Sequence, residues 1–211
     1  TAPSPAPGHL IKHEFMGSAA KPMLIPSAVG VVPASELRIV AEDILPFVHD
    51  VPVLNARRLT SGEPFLRMLT ESKLMVQLIS FAEVMANVAQ HQLSHDQLIA
   101  CLNWIIKLSG ERSLSSSDYY LVVSSVRVPA GFPPTSQLLS KVSHYPEGLL
   151  RYESGLPMPE TCLSPKIAEA IAAYDLVDVF NLKPLTMASW LAFVAELEKC
   201  QNVAFCEKIL A

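Results

Sequence analysis

The sequence has little charge and no long apolar run. Only 17% of its 211 residues are charged and half are hydrophobic, which argues against a disordered chain and supplies enough apolar side chains for a core. A membrane span needs about 18 consecutive apolar residues. The richest apolar run, from Leu98 to Leu108, is interrupted by Asn103 and Lys107. The sequence therefore predicts a folded protein that does not cross a membrane.

Basic residues are also scarce, and they are scattered. The chain has 16 Lys and Arg against 20 Asp and Glu, for a formal charge of -4. Arg57-Arg58 is its one adjacent basic pair. A general nucleic-acid binder usually presents a basic face. Nucleic acid is therefore not an expected partner.

Sequence motifs that would indicate catalysis are absent. The sequence contains no G-x-G-x-x-G, Walker, G-x-S-x-G or H-E-x-x-H pattern, and its eight glycines leave little material for a phosphate-binding loop. None of the four cysteines forms a C-x-x-C pair. Cys101, Cys200 and Cys206 have apolar neighbours and are predicted to be core residues. The sequence predicts no catalytic residue and no cofactor.

One histidine pair has the spacing of a metal site. His91 and His95 are four residues apart, as zinc ligands on one helical face would be. Ser94 should begin a helix, however, so the two histidines straddle a turn, and no Cys or carboxylate cluster accompanies them. The prediction is that no metal binds there.

Both ends suggest a piece of a longer protein. Residues 1–34 contain six prolines, which disfavour long regular structure. This Pro-rich arm is either a linker or a set of extended segments lying on a neighbouring surface. The other end stops inside an apolar helical pattern, from Cys206 to Ala211, without a Gly or Pro stop signal.

Serine caps mark the helices of the central region. Ser35, Ser61, Ser80 and Ser94 each precede a helical pattern, and the last two begin capping boxes with Glu83 and Gln97; Gly110 ends the last of these helices. Phe81, Val84, Met85 and Val88 repeat at helical spacing in one of them. Leu98, Cys101, Leu102 and Ile105 do so in the next, which is apolar on nearly all sides and is expected to be buried.

Strand signals flank these helices. The pattern predicts a short strand over 74–79 and the best strand of the chain over Tyr119–Val128, followed by a loop at 129–134. Residues 136–142 return as a strand or a short helix. The order of helices and strands is that of a winged helix, predicted here for residues 58–145. The alternative is an irregular helical domain with one hairpin.

A second helical unit follows. Ser164-Pro165 and Thr186 precede helical patterns, and Leu185-Thr186 before Trp190 echoes Leu93-Ser94 before Trp104. The predicted fold class is mainly α (α+β), with tandem winged-helix-like units and a small β-hairpin. The predicted domains are the arm at 1–34, a winged-helix-like unit at 35–145 and a second, truncated helical unit at 146–211.

The third helix of a winged helix would enter the DNA major groove. Here it offers only Asn103 and Lys107 on an otherwise apolar helix, and the loop after Arg127 contains no basic residue. Winged helices also serve as protein-interaction modules, and this helix suits packing better than base reading. The predicted interaction surface comprises Asn103, Lys107, Arg127 and Phe132. A nucleic-acid-binding winged helix is the alternative.

Several short segments carry a family resemblance over about residues 45 to 200. They are Leu156-Pro157-Met158-Pro159-Glu160-Thr161-Cys162-Leu163-Ser164, Asp175-Leu176, Pro184-Leu185-Thr186, Trp190-Leu191, and Leu93-Ser94 to Trp104-Ile105-Ile106 ahead of Leu121 to Val128. With these the chain resembles an uncharacterised region of very large fungal proteins that also carry an Hsp90-like (sacsin-type) ATPase module. The resemblance implies a scaffold or chaperone-linked segment and assigns no catalytic residue here.

The expected function is therefore that of a non-catalytic protein-interaction or scaffold module of a larger intracellular protein. Its expected partners are another protein or adjoining domains of the same chain. The expected location is the cytoplasm or the nucleus, because no secretory signal is present at Thr1. A hydrolase with an unrecognised site is a third alternative.

Overall fold

The computed structural model describes residues 24–27, 29–33, 35–53, 77–152, 155–172 and 176–199. Contacts divide the chain into two compact units. The smaller unit comprises Thr1–Ala41 and His49–Ile79, and the larger comprises Glu42–Val48 and Ser80–Ala211. The predicted helix after Ser61 lies outside the described residues.

The described part of the smaller unit consists of two short sheets. Strands β1 (Leu24–Ser27) and β2 (Gly30–Pro33) form an antiparallel hairpin, so these two segments of the arm pair with each other. Strands β3 (Arg38–Ile39) and β4 (Gln77–Leu78) pair in parallel. The predicted helix after Ser35 is therefore wrong. The Arg38 amide instead donates to the Pro52 carbonyl over 2.9 Å, so pairing with distant residues outweighs the local helical spacing.

The described part of the larger unit contains seven helices and a mixed sheet of five strands. The helices are α1 (Phe81–Gln90), α2 (His95–Gly110), α3 (Ser116–Ser125), α4 (Leu149–Tyr152), α5 (Pro165–Ala172), α6 (Leu176–Val179) and α7 (Met187–Lys199). The strands are β5 (Arg127–Phe132), β6 (Thr135–Leu138), β7 (His144–Pro146), β8 (Met158–Leu163) and β9 (Lys183–Leu185), with a 3-10 turn at Leu139–Lys141.

The five strands form one sheet in the order β6-β5-β8-β7-β9. β5 is antiparallel to both β6 and β8, whereas β7 is parallel to both β8 and β9. Two parallel strands that are consecutive in the chain need a crossover connection. Helix α4 forms part of this connection between β7 and β8. The protein is thus an α/β protein.

The fold-class prediction of tandem winged helices is wrong. Helix α3 (Ser116–Ser125) occupies residues 119–125 of the strand predicted over Tyr119–Val128, and β4 pairs with β3 rather than with a hairpin. Strands β8 and β9, from the region assigned to a second winged-helix-like unit, join the same sheet as β5. The β-branched and aromatic run at 119–123 favoured a strand, but a strand propensity is a weak preference that local capping and packing override.

Capping explains where the first three helices begin. Ser80, Ser94 and Ser115 each accept a hydrogen bond from the backbone N–H three residues later, and the side chain of that third residue accepts from the backbone N–H of the serine. The predicted capping boxes at Ser80 and Ser94 are confirmed, and α2 ends at Gly110 as predicted. The box at Ser115 with Asp118 was not predicted.

Two groups of buried side chains form the core of this unit. Trp104 of α2 stacks on Phe81, with ring centroids 5.4 Å apart, and also contacts Phe47 at 5.7 Å. On the sheet, a second cluster joins α4, β8, β9 and α7; its buried members are Leu150, Met158, Cys162, Leu185, Trp190 and Val194. The Trp190 indole Nε1–H donates to the Pro157 carbonyl over 2.6 Å, which fixes α7 to the start of β8.

One glycine permits β5 and β8 to lie close together. Gly131 has φ +76°, and a Cβ added there would lie 3.2 Å from Cα of Glu160. A larger residue at 131 would therefore be strained for two reasons: its φ is positive, and its Cβ would lie too close to the backbone of Glu160.

We expect Gly131→Ala to lower the free energy of unfolding by about 1–3 kcal/mol. The alanine would have an unfavourable φ, and its Cβ would be too close to the Glu160 backbone, which is held in strand β8. Urea unfolding followed by tryptophan fluorescence would measure this, since both tryptophans lie in the larger unit. Gly110→Ala is the control: it meets no atom within 4 Å and should leave the stability unchanged or slightly higher. Equal stability of the two variants would contradict the role given to Gly131.

The cap of α3 leads to a pH prediction. The side chain and the backbone N–H of Ser115 donate to the Asp118 carboxylate over 2.6 and 2.8 Å, and they lower the pKa of Asp118 below its ordinary value of 3.8. This carboxylate therefore contributes stability above its unfolded pKa, and the contribution is lost as the pH falls through the lower folded pKa.

Replacing Ser115 by Ala should move the pKa of Asp118 back towards 3.8. Titration of the side-chain carboxyl carbon by NMR would measure the change. Ser80→Ala removes the corresponding hydroxyl of α1 and should leave the Asp118 titration as it is in the unmodified protein. An unchanged Asp118 pKa in Ser115→Ala would show that the hydroxyl has no part in the shift.

Candidate functional site

The four residues of the predicted interaction surface lie on two elements, α2 and β5. Arg127 is exposed at the start of β5, whereas Lys107 lies near the C-terminal end of α2 and forms a 3.2 Å ion pair with Asp43. Phe132 packs against the sheet cluster, and Asn103 is half-buried on α2. Asn103 and Lys107 are thus one turn apart on α2, whereas Arg127 and Phe132 are the first and last residues of β5.

Arg127 belongs to a cleft of about 260 Å³ between two segments of the larger unit. One side is the α1–α2 connection and the other is the β5–β6 hairpin. The lining residues are Val88, His91, Gln92, Leu93, His95, Leu98, Arg127, Val128, Pro129, Pro134, Thr135 and Ser136. Because they come from residues 88–98 and 127–136, no local pattern in the sequence indicates this cleft.

Apolar residues form the base of the cleft and polar groups its rim. Val88, Leu98 and Val128 are almost wholly buried, while Arg127 and His95 are exposed. Of the described residues that line the cleft, none is acidic. The cleft can therefore offer hydrogen-bond donors and positive charge, with no carboxylate to repel an anion.

The ring of His91 is oriented by α1. Its Nδ1 lies 2.9 Å from the backbone carbonyl oxygen of Asn87. A carbonyl oxygen only accepts, so Nδ1 is the donor in this bond. His91 and His95, predicted not to bind a metal, thus line one cleft, and in the described part of the chain no group of three or more His, Cys, Asp and Glu has the arrangement of a metal site.

A second feature is the outward face of α7. Met187, Ala188, Leu191, Ala192 and Ala195 are all exposed and follow one another at helical spacing. Met187 and Leu191 keep 43% and 55% of their surface accessible, although both are large apolar side chains. The first charged residue on the helix is Glu196. This outward face is not among the predicted sites, although the spacing of 187, 191 and 195 indicates it.

The inward face of α7 holds this surface in place. Trp190 and Val194 are buried in the sheet cluster, and the Trp190–Pro157 hydrogen bond joins the helix to β8. At the start of the helix, the Thr186 hydroxyl accepts from the Ser189 backbone N–H over 3.3 Å, which confirms the predicted cap. The apolar face is therefore presented by an anchored helix.

The two cysteines that the structure describes are chemically inert. Burial raises the pKa of both Cys101 and Cys162 to about 12. The thiolate is the reactive form of cysteine, so neither is a nucleophile near neutral pH. Cys101 is a core residue, as predicted; Cys200 and Cys206 lie outside the described residues.

We expect Cys101 and Cys162 to resist alkylation by iodoacetamide at pH 8 in the folded protein and to react fully in urea. A chain carrying Cys200→Ser and Cys206→Ser isolates the two buried thiols, and mass spectrometry counts the adducts. Labelling of either cysteine in the folded protein at the rate of free cysteine would mean that its thiol is accessible.

Within the described residues, no helix is long and apolar enough to cross a membrane. This agrees with the absence of a long apolar run in the sequence.

Comparison with known proteins identifies a family. No curated protein and no solved structure shows significant similarity to the chain. One family model matches residues 1–210, nearly the whole sequence. Nothing in these comparisons links that family to fungal proteins with an ATPase module. The chain belongs to the uncharacterised family described as "Protein of unknown function (DUF3684)".

Proposed function

We propose that this chain is a non-catalytic protein-interaction or scaffold module, and that it contacts its partner through the outward face of α7. The partner is another protein or an adjoining domain of a larger intracellular protein. The sequence resemblance suggests that the larger protein carries an Hsp90-like (sacsin-type) ATPase module, as the resembling fungal proteins do.

The observation that carries this proposal is the exposed, uncharged face of α7. An isolated exposed leucine is normal on a protein surface. Here Met187 and Leu191 lie one turn apart, and three exposed alanines continue the same face. A continuous apolar face on an anchored helix indicates an interaction site.

The size of these side chains suits a helical partner. Fully burying a Leu or Met side chain contributes about 1.5–3 kcal/mol, and Leu191 and Met187 have roughly half of that surface still available. The alanines at 188, 192 and 195 add little volume. A partner helix could therefore approach to the usual interaxial distance of about 8–10 Å.

The contrast with the cores of the same unit supports an interaction rather than a packing defect. On α1 and α2 the large apolar residues of the predicted stripes, Val84, Met85, Leu98 and Ile105, are almost wholly buried. α7 likewise buries Trp190 and Val194, so it already has an inward face. Its outward face is a second apolar surface, and Met187 and Leu191 on it are not buried in the core of the unit.

Site-specific photo-crosslinking would test the proposal. Benzoylphenylalanine is introduced at Leu191 in the full-length protein, and the crosslinked products are identified by mass spectrometry. We expect one defined protein segment, rich in apolar residues, to be captured at position 191. We also expect Leu191→Glu to reduce co-purification of that segment at least about tenfold, because a charge would have to be buried.

Glu169 provides the matched control, since it is an exposed residue on another helix of the same unit. Benzoylphenylalanine at position 169 should capture much less of the same segment. Circular dichroism checks that Leu191→Glu remains folded. Equal capture at 169 and 191, or unchanged co-purification of Leu191→Glu, would contradict the proposed interface.

A further inference from the structure

The geometry of the cleft between the α1–α2 connection and the β5–β6 hairpin points to a second site: we propose that it binds an anionic group, a carboxylate or a phosphate, through Arg127. This inference is independent of the proposed interface on α7. The cleft differs from that interface in being polar at its rim and concave.

The charge distribution is the first argument. The whole chain has a formal charge of -4, yet the cleft is lined by one arginine and two histidines and by no described acidic residue. An acidic protein would readily supply a carboxylate to neutralise Arg127. Within the described residues, Arg127 forms no ion pair. A cationic recess of this kind attracts anions locally despite the net charge.

The chemistry of the rim is the second argument. The guanidinium of Arg127 carries five N–H donors in a planar fork that matches the two oxygens of a carboxylate or phosphate. Ser136 adds a hydroxyl group on the opposite strand of the hairpin, where it pairs with Pro129. Gln92, exposed on the other side of the cleft, adds an amide donor. These groups together can surround an anion from two sides.

The size of the cleft is the third argument. Ligand pockets for drug-sized molecules usually measure about 300–1,000 Å³. At about 260 Å³ the cleft is smaller, so it fits a small anion or one acidic side chain. Its buried base of Val88, Leu98 and Val128 gives the recess a low-dielectric wall, which strengthens electrostatic attraction at the rim.

NMR titration of the isotope-labelled 211-residue chain would test this proposal. Inorganic phosphate is added at constant ionic strength, with chloride as the reference anion. We expect saturable shifts of the backbone amides of Arg127, Val128, Thr135 and Ser136. Arg127→Gln should weaken binding at least about tenfold, as loss of a charged hydrogen-bond donor usually does.

Two further variants make the result specific. Arg112→Gln removes the same charge from an exposed arginine beyond the opposite end of α2 and should leave binding unchanged. Arg127→Lys keeps the charge but loses the planar fork, so its affinity should lie between those of the unmodified protein and Arg127→Gln. The spectrum of each variant shows directly whether it is folded.

The source of the anion is resolved by a second titration. A short peptide with a central glutamate is compared with its glutamine counterpart. Tighter saturable binding of the glutamate peptide than of phosphate would identify an acidic protein segment as the ligand, and the reverse order would identify a free anion. Shifts that do not saturate with either probe, or that Arg112→Gln weakens as much as Arg127→Gln, would overturn the proposal.

Discussion

Strand β8 holds the larger unit together, because it is paired along both of its edges. On one side it lies antiparallel to β5, with Ala130 opposite Leu163, and on the other it lies parallel to β7, with His144 opposite Cys162. Its close approach to β5 requires the glycine at 131. The Pro157 carbonyl, just before the strand, accepts the indole hydrogen bond of α7. Both surfaces to which we assign a role are attached to this one strand, the cleft through the β5–β6 hairpin and the apolar face through α7.

The two surfaces are suited to different partners. The face of α7 is uncharged from Met187 to Ala195, so it gains free energy by excluding water from large apolar side chains. The cleft instead offers Arg127 and the Ser136 hydroxyl group around a small recess, so its selectivity would come from charge and hydrogen-bond geometry. In the two proposals one surface binds by burial and the other by charge, so the two could be occupied independently.

Local signals in the sequence predicted the helices better than the sheet. The capping boxes at Ser80 and Ser94 depend on residues only three apart, and both helices begin where the sequence predicts. The β-branched and aromatic run predicts a strand over Tyr119–Val128, but the box at Ser115 starts a helix that continues to Ser125. Strand order could not be predicted, since β8 inserts between β5 and β7 through backbone pairing that leaves no periodic signal.

The same limitation applies to the sites. Arg127 was singled out from the sequence, but only the fold shows that it shares a cleft with His91 and His95. The sequence marks Lys107 as one of two polar residues on an otherwise apolar helix, and the structure pairs it with Asp43, which lies far from it in the sequence. The helical spacing of its apolar residues indicates two apolar faces on α7. Only the structure shows that the face of Met187 and Leu191 is exposed and that the face of Trp190 and Val194 is buried.

The central position of β8 also has a consequence for the order of folding. Helices α1 to α3 form through local contacts. β8 instead pairs with β5 residues that lie 26 (Phe132–Met158) and 33 (Ala130–Leu163) positions earlier, and β9 pairs with β7 residues 39 positions earlier (His144–Lys183). Such distant pairing is slow. Until residues 158–163 take their place, β5 and β7 each present an unpaired backbone edge, which is a template for association with other chains. The nascent protein is therefore most prone to aggregation after its hairpin has formed and before its central strand has been inserted.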